Sequence, residues 1–342
     1  MSYRWILAPL SVLYWIPLRI RHWLYDKALL PSMSVPIPTI CIGNLAVGGT
    51  GKTPHTEYLI RLLSKQYTVA VLSRGYKRKT HGFVLADQNS TASTIGDESM
   101  QIHRKFPDIT VAVCESRVHG VNQLRKLKPE VQVIILDDAM QHRAMQCGHT
   151  ILLTAHDNLY IDDHLLPWGW LRDWKQRSLA AQTIIITKCP DNMRPIDKRV
   201  IDNRLHLPAY QQLYFSHIVY EPLPEGITHP LLICGIANPD SLIAHIRKSC
   251  KKVEVMTFPD HHRFSKADQQ RMLSVSQKCD CVLTTEKDYE RLLLTDIPNI
   301  LADKLRVVPI SVQLGKEEEA FQRQILSYVS RTLKHLPKNN KV

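Results

Sequence analysis

The residues best suited to chemistry begin near position 48. Gly48-Gly49-Thr50-Gly51-Lys52-Thr53 follows an apolar run and precedes a stretch with helical character. Glycines let backbone N–H groups close around phosphate oxygens. A helix starting near Lys52 would turn its positive end toward the same anion. In such a loop Lys52 reaches the β- and γ-phosphates of a nucleotide, and the Thr53 hydroxyl binds Mg²⁺. Pro54 suits the first helical turn, where its missing N–H costs nothing. Ala46 stands where the commonest form of the loop has its first glycine, so the run is read as the GGxGK[ST] variant. Gly48, Gly49, Thr50, Gly51, Lys52 and Thr53 are the candidate nucleotide-binding residues.

A phosphate loop needs an acid at the end of a neighbouring strand to hold its metal. Val131-Gln132-Val133-Ile134-Ile135-Leu136-Asp137-Asp138 supplies two. Its aliphatics bury the strand, and the carboxylates emerge at the C-terminal edge, where ligands bind in such sheets. One of the pair could instead cap the next segment. Gln141-His142-Arg143 follows and could orient phosphate. Asp97 and Glu98 follow Gly96; locally they read as an N-cap and a first-turn acid, or as the place for a base that takes a proton from an attacking hydroxyl. Phe258-Pro259-Asp260-His261-His262-Arg263-Phe264 is a second polar cluster, weak as a metal site because no third ligand has suitable spacing. Ser73-Arg74-Gly75-Tyr76-Lys77-Arg78-Lys79 is a basic run that could face an anionic substrate. Arg172-Asp173 and Thr284-Thr285-Glu286-Lys287-Asp288 carry charge, but spacing alone does not reveal their chemistry.

These groups sit on an alternation of apolar strands and helices. Strands are predicted at 36–42, 68–72, 109–113, 131–136, 150–154 and 183–187, with a helix over 53–66. Continuous apolar strands separated by helices indicate an α/β fold with a parallel sheet covered on both faces. Strands at 231–234, 253–258, 281–284 and 305–310, with helices at 240–248 and 266–277, form a second, smaller α/β unit. The predicted division is an N-terminal helix (1–30), a phosphate-loop unit (31–208), a Pro-rich connection (209–230) and the smaller unit (231–342).

The N-terminus stands apart. Trp5 to Leu18 carries no charge and contains Pro9 and Pro17. It is too short to span a bilayer, which takes about 20 apolar residues, and no small-residue cleavage site follows it. Arg19, Arg21, His22 and Lys27 then alternate with Trp23, Leu24 and Tyr25. Mixed basic and aromatic residues suit a helix lying at the headgroup boundary; the alternative is a helix packed on its own fold.

Composition agrees with a folded two-unit protein. The 342 residues are 44% hydrophobic and 22% charged, which excludes a disordered, collagenous or coiled-coil chain. A net charge of +12 points to anionic partners. No nucleic-acid module with interleaved aromatics is present. The eight cysteines are scattered with no CxxC pair and read as reduced thiols.

Taken in order, the motifs resemble those of the tetraacyldisaccharide 4′-kinases. The matching blocks are Gly43 to Pro54, Ser73-Arg74-Gly75-Tyr76, Gly96-Asp97-Glu98, Asp137 to Arg143, Leu165-Leu166-Pro167 with Arg172, Asp260-His261 and Thr284 to Asp288. The resemblance implies two α/β/α sandwich domains flanking a cleft, the first a P-loop NTPase-like, mostly parallel sheet. It implies a lipid A biosynthesis enzyme of a Gram-negative bacterium that uses ATP and Mg²⁺ to phosphorylate the 4′-hydroxyl of tetraacyldisaccharide 1-phosphate, giving lipid IVA. It places the enzyme at the cytoplasmic face of the inner membrane, on an anionic membrane surface, with no nucleic acid and no obligatory protein partner. By the same resemblance Asp97 is the general base, assisted by His261. Asp137, Asp138 and Glu98 join Thr53 as metal candidates, and Arg74, Tyr76, His142 and Arg172 contact substrate or phosphate. The family usually has Gly-Phe where this chain has Ala139-Met140, and Glu where it has Asp173. The competing reading is a P-loop GTPase or ATPase of metallochaperone or switch type. It would favour an Asn-Lys-x-Asp run, which Thr187-Lys188-Cys189-Pro190 does not match.

Overall fold

A computed structural model describes residues 3–236, 239–259, 262–295 and 297–336. Eight strands make the larger sheet: β1 (Thr39–Asn44), β2 (Val69–Ser73), β3 (Val84–Leu85), β4 (Thr110–Val113), β5 (Val133–Asp137), β6 (His149–Ala155), β7 (Thr183–Thr187) and β8 (Gln212–Phe215). Their order is β3-β4-β2-β5-β1-β6-β7-β8. Every pairing is parallel except that of β3 with β4. Side chains alternate faces along a strand, so β1 sends Cys41 into one core with Leu72, Leu136 and Ile184. Ile40 and Ile42 enter the other, with Leu59, Val71 and Ile185. Both faces are covered, which explains the unbroken apolar runs.

The chain leaves this sheet through β9 (His217–Tyr220) and builds a second, parallel one. It comprises β10 (Leu231–Cys234), β11 (Glu254–Thr257), β12 (Val282–Thr285) and β13 (Leu305–Val308), ordered β11-β10-β12-β13. It returns through β14 (Ile310–Gln313), which pairs antiparallel with β9. The single strand expected at 305–310 is therefore two, broken at Pro309, which lacks the N–H a continuous ladder needs. The expected division also shifts. The connection 209–230 contains β8, a member of the larger sheet. The final helix, Glu318–His335, buries Phe321, Ile325 and Val329 in the core of the larger sheet, not in the smaller unit. Its i, i+4, i+8 apolar stripe demands burial but does not specify which sheet supplies it.

At the N-terminus a short turn, Tyr3–Leu7, leads into a helix, Ala8–Asp26. Among the described residues no helix is long and apolar enough to cross a membrane. This helix packs on its own fold. His22 is fully buried and meets Asp173 at 2.7 Å. Ser11 donates to the Leu165 carbonyl, Tyr14 to that of Arg172 and Arg21 to that of Gln141. The outer side of the helix still exposes Leu10, Leu13, Ile16, Ile20 and Trp23, and Trp5 is exposed in the turn before it. All eight cysteines are free thiols.

Candidate active site

The phosphate loop joins the end of β1 to the helix Lys52–Leu63. Gly51 is the residue before that helix and has φ +84°, and Gly48 has φ +110°; a side chain is strained in either conformation. The loop is braced from beneath. Asn44 Nδ2 donates to Thr50 Oγ1 at 2.8 Å, and Thr187 Oγ1 donates to the Thr50 carbonyl at 2.9 Å. His55, buried, lies 2.7 Å from the Gly51 carbonyl and 2.9 Å from Ser216 Oγ. A carbonyl only accepts, so Nδ1 carries the proton and Nε2 accepts. Burial holds this imidazole neutral by lowering its pKa to about 4.

β5 lies between β1 and β2 and brings its acids beside the loop. Asp137 is buried, with Thr56 Oγ1 at 3.5 Å. Burial first, then the negative charges of Glu98 and Asp138, push its pKa up to about 7, against the opposing charges of Lys52 and Arg117. Asp138 behaves oppositely. Burial pushes it up, but the Arg172 hydrogen bonds and the charges of Lys52, Arg172 and Arg117 hold it below the usual carboxylate range. Lys52 Nζ stands 3.9 Å from Asp138 Oδ2 and 3.5 Å from Asn44 Oδ1. Arg172 donates through Nη1 to Asp138 Oδ2 at 2.9 Å, and its Nη2 contacts both Asp138 Oδ1 and Asn44 Oδ1. Buried Arg117 donates to the carbonyls of Asp137 and Asp138 at 3.3 and 3.1 Å. Its own backbone N–H donates to His142 Nε2 at 3.2 Å.

Asp97 and Glu98 open the helix Asp97–Lys105, with Gly96 as the residue before it. Asp97 is therefore inside the first turn and not the N-cap. Gly96 has φ +87°, and a Cβ there would lie 3.0 Å from the Tyr76 carbonyl oxygen. That close approach seats the Arg74–Tyr76 segment against the start of the helix. Across the gap, the helix Glu286–Leu292 meets it with charge. Arg291 Nε donates to Asp97 Oδ2 at 2.9 Å. Lys287 lies 3.2 Å from Glu98 and Arg104 lies 3.2 Å from Glu290. Lys105 contacts Glu57 at 2.6 Å and also Glu286.

The result is a cleft of about 1510 Å³ whose lining includes the Gly48–Thr53 loop, Arg74, Tyr76, Asp97, Glu98, Asp137, Asp138, His142 and Arg172. It extends to Tyr220 and His245 beside the smaller sheet. Every site residue expected from the sequence and described in the structure faces this one space. His261 lies outside the described residues. Among the described residues no three His, Cys, Asp or Glu side chains form a ready-made metal site. Mg²⁺ is commonly held by one or two carboxylates together with substrate phosphates, and the cleft presents Asp137, Asp138 and Glu98. Asp137 alone takes the charge of both Glu98 and Asp138, a repulsion that a cation placed among them would relieve.

Sequence reading missed Asn44, His55, Arg117 and Arg291. The first three follow or underlie strand ends at the ligand-binding edge of the sheet, a positional signal that could have marked them.

A family model described as tetraacyldisaccharide-1-P 4′-kinase matches residues 3–330. A Bacteroides fragilis (strain YCH46) protein named tetraacyldisaccharide 4′-kinase is 44% identical over 351 residues, covering 96% of this chain and 93% of its own. A Flavobacterium johnsoniae protein of the same name is 42% identical over 343 residues, covering 96% and 98%. The structure is similar to a crystal structure of the "apo" form of LpxK from Aquifex aeolicus in complex with ATP. The TM-score is 0.73, the identity 25%, and coverage is 96% of this chain and 99% of that one.

Proposed function

The chain belongs to the tetraacyldisaccharide-1-phosphate 4′-kinase family, and from that premise we propose how its cleft performs the transfer. The protein is a lipid A biosynthesis kinase that uses ATP and Mg²⁺ to phosphorylate the 4′-hydroxyl of a tetraacyldisaccharide 1-phosphate. The reading as a metallochaperone or switch protein gives way to the family match.

In the proposed arrangement the Gly48–Gly51 backbone and the N-terminus of the helix Lys52–Leu63 hold the nucleotide phosphates, with Lys52 on the β- and γ-oxygens. A bound Mg²⁺ would supply positive charge that offsets the charge growing on the transferred phosphoryl group. Thr53, Asp137, Asp138 and Glu98 are the residues to hold it. Arg172 keeps Asp138 ionised and turned toward Lys52. Asp97 takes the proton of the 4′-hydroxyl as that oxygen forms its bond to the γ-phosphorus. The bond from the γ-phosphorus to the β,γ-bridging oxygen breaks, and ADP leaves. Arg74, Tyr76 and His142 contact the lipid headgroup, and His261 assists Asp97. The observation that carries this reading is the meeting, in one cleft, of a glycine loop with its lysine, two strand-end aspartates and Asp97 at the start of the helix Asp97–Lys105.

The outward apolar row of the N-terminal helix supports seating on the anionic cytoplasmic face of the inner membrane, the source of the acyl substrate. The +12 charge supports the same partner and not nucleic acid. No obligatory protein partner enters this reading, and the two sheets serve as the walls of one catalytic unit. The test is incubation with γ-labelled ATP, Mg²⁺ and tetraacyldisaccharide 1-phosphate. Label in a 4′-phosphorylated lipid is expected. ATP hydrolysis with no label in lipid would defeat the proposal.

A further inference from the structure

The helix pair that closes the cleft contains an arginine that the phosphate chemistry leaves unexplained. Asp97 is the first residue of its helix. That location fixes its backbone, and side-chain contacts then select the rotamer of its carboxylate. One such contact comes from the other side of the cleft. Arg291 is 5% exposed, and its Nη1 donates to Asp288 Oδ1 at 2.8 Å and to the Gly235 carbonyl at 3.3 Å. Asp288 is fully buried and itself accepts from the Gly235 N–H at 2.7 Å and from Thr285 Oγ1 at 2.8 Å. Gly235 follows β10 and Thr285 ends β12, so the guanidinium is tied to the edge of the smaller sheet. From there its Nε reaches Asp97 Oδ2 at 2.9 Å. Thr285, Glu286 and Lys287 line the cleft, and Arg291 lies one helical turn behind them.

We propose that Arg291 is a positioning residue for Asp97, supplied by the smaller sheet, so that the base adopts its working orientation when the two helices are docked. The planar guanidinium can serve Asp288 and Asp97 together through different nitrogens, which a lysine ammonium cannot do with the same geometry. The pairs Glu98–Lys287, Arg104–Glu290 and Lys105–Glu286 run alongside and hold the helices in register. Proton abstraction depends on placement, and small displacements of a reacting group cost large factors in rate. The arginine thus links the base on one sheet's helix to the hydrogen-bond frame of the other sheet.

The inference rests on Asp97 being the base, and the experiment separates the two. Phosphoryl transfer to tetraacyldisaccharide 1-phosphate is measured at one fixed pH for wild type, Arg291→Gln, Arg291→Lys, Asp97→Asn and Asp97→Asn/Arg291→Gln, with a melting curve for each. Arg291→Gln is expected to lower kcat roughly 50-fold while the KM for ATP stays within about twofold. Arg291→Lys keeps the buried charge beside Asp288 and is expected to recover most of the loss, ending about fivefold below wild type. The double variant is expected to be no slower than Asp97→Asn, because the arginine acts only through the base. If Arg291→Gln does not fold, a folded Arg291→Lys with wild-type kcat overturns the proposal, and one with the reduced kcat at unchanged KM supports it. Arg291→Gln at wild-type kcat, or a loss that adds in full to that of Asp97→Asn, overturns the proposal and leaves Asp97 in its role. Wild-type kcat in Asp97→Asn removes the base, and the proposal with it.

Discussion

Arg172 grips Asp138 with both terminal nitrogens, and one of those nitrogens also reaches Asn44 beneath the phosphate loop. A planar fork matches a carboxylate with two parallel hydrogen bonds. The consequence is a fixed carboxylate 3.9 Å from Lys52, ionised despite its surroundings. Asp137, one residue earlier, lacks such a fork and is pushed the other way. The two adjacent acids are thus set apart: burial and Glu98 raise the first, and Arg172, with Lys52 and Arg117, holds the second ionised.

Arg172→Lys keeps a charge there and loses the fork. The expected result is a fall of about tenfold in kcat/KM for ATP, since the loop lysine and its acid lose their common brace. The melting temperature should change by only a few degrees, because the pair is partly exposed. Steady-state kinetics against ATP concentration, with a melting curve, check both statements.

The N-terminal helix packs on its own fold and, in the proposed reading, also seats on the membrane; different substitutions should separate the two. His22 donates from Nε2 to Asp173, because Arg143 Nη1 donates to its Nδ1 at 3.1 Å. Asp173 is fully buried. His22→Ala should therefore cost about 3 kcal/mol in urea unfolding, because the buried Asp173 carboxylate loses its histidine donor and keeps the Trp174 N–H. Leu13→Ser with Ile20→Ser changes only exposed residues and should leave stability within about 1 kcal/mol while weakening binding to anionic vesicles. Deleting residues 1–28 would mix the two effects.

The buried histidines set an acid limit on stability. His55 and His149 both have their pKa lowered to about 4, by burial in each case. The unfolded chain takes up these protons near pH 6.5 and the folded chain only near pH 4. The unfolded state therefore binds more protons in that window, so stability rises with pH and is lost as pH falls from about 6.5 to 4. Each site contributes roughly 3 kcal/mol at most by pH 4. Urea unfolding across this range should show the decline, and His149→Gln should make it shallower. An unchanged slope in that variant would remove His149 from the account.

How far the sequence foretold the site depended on the distance between partners. The Gly48–Thr53 loop and the strand ending in Asp137-Asp138 were legible because glycine spacing, a following helix and an aliphatic run act within about ten residues. The parallel sheet was legible from strands apolar on both faces. Arg291 and Asp97 lie 194 residues apart, and Tyr289-Glu290-Arg291-Leu292 reads as an ordinary amphipathic turn. Nothing local marks the arginine as belonging to the cleft. Arg117 carries only the weak signal of its place after β4; its hydrogen bonds to strand-end carbonyls exist only once β4 and β5 share a sheet. The final helix shows its apolar stripe in sequence, but its choice of the larger sheet is a matter of tertiary packing. Pro309 was the readable sign of the break between β13 and β14.

Whether Asp97 is the base is decided by the rate of phosphate transfer to lipid by Asp97→Asn under saturating ATP and Mg²⁺. Asparagine preserves shape and hydrogen bonding but cannot take the 4′-hydroxyl proton. The expected result is a fall in kcat of about a hundredfold or more, as for loss of a general base, with the affinity for ATP held within about twofold. A kcat within about threefold of wild type would contradict it.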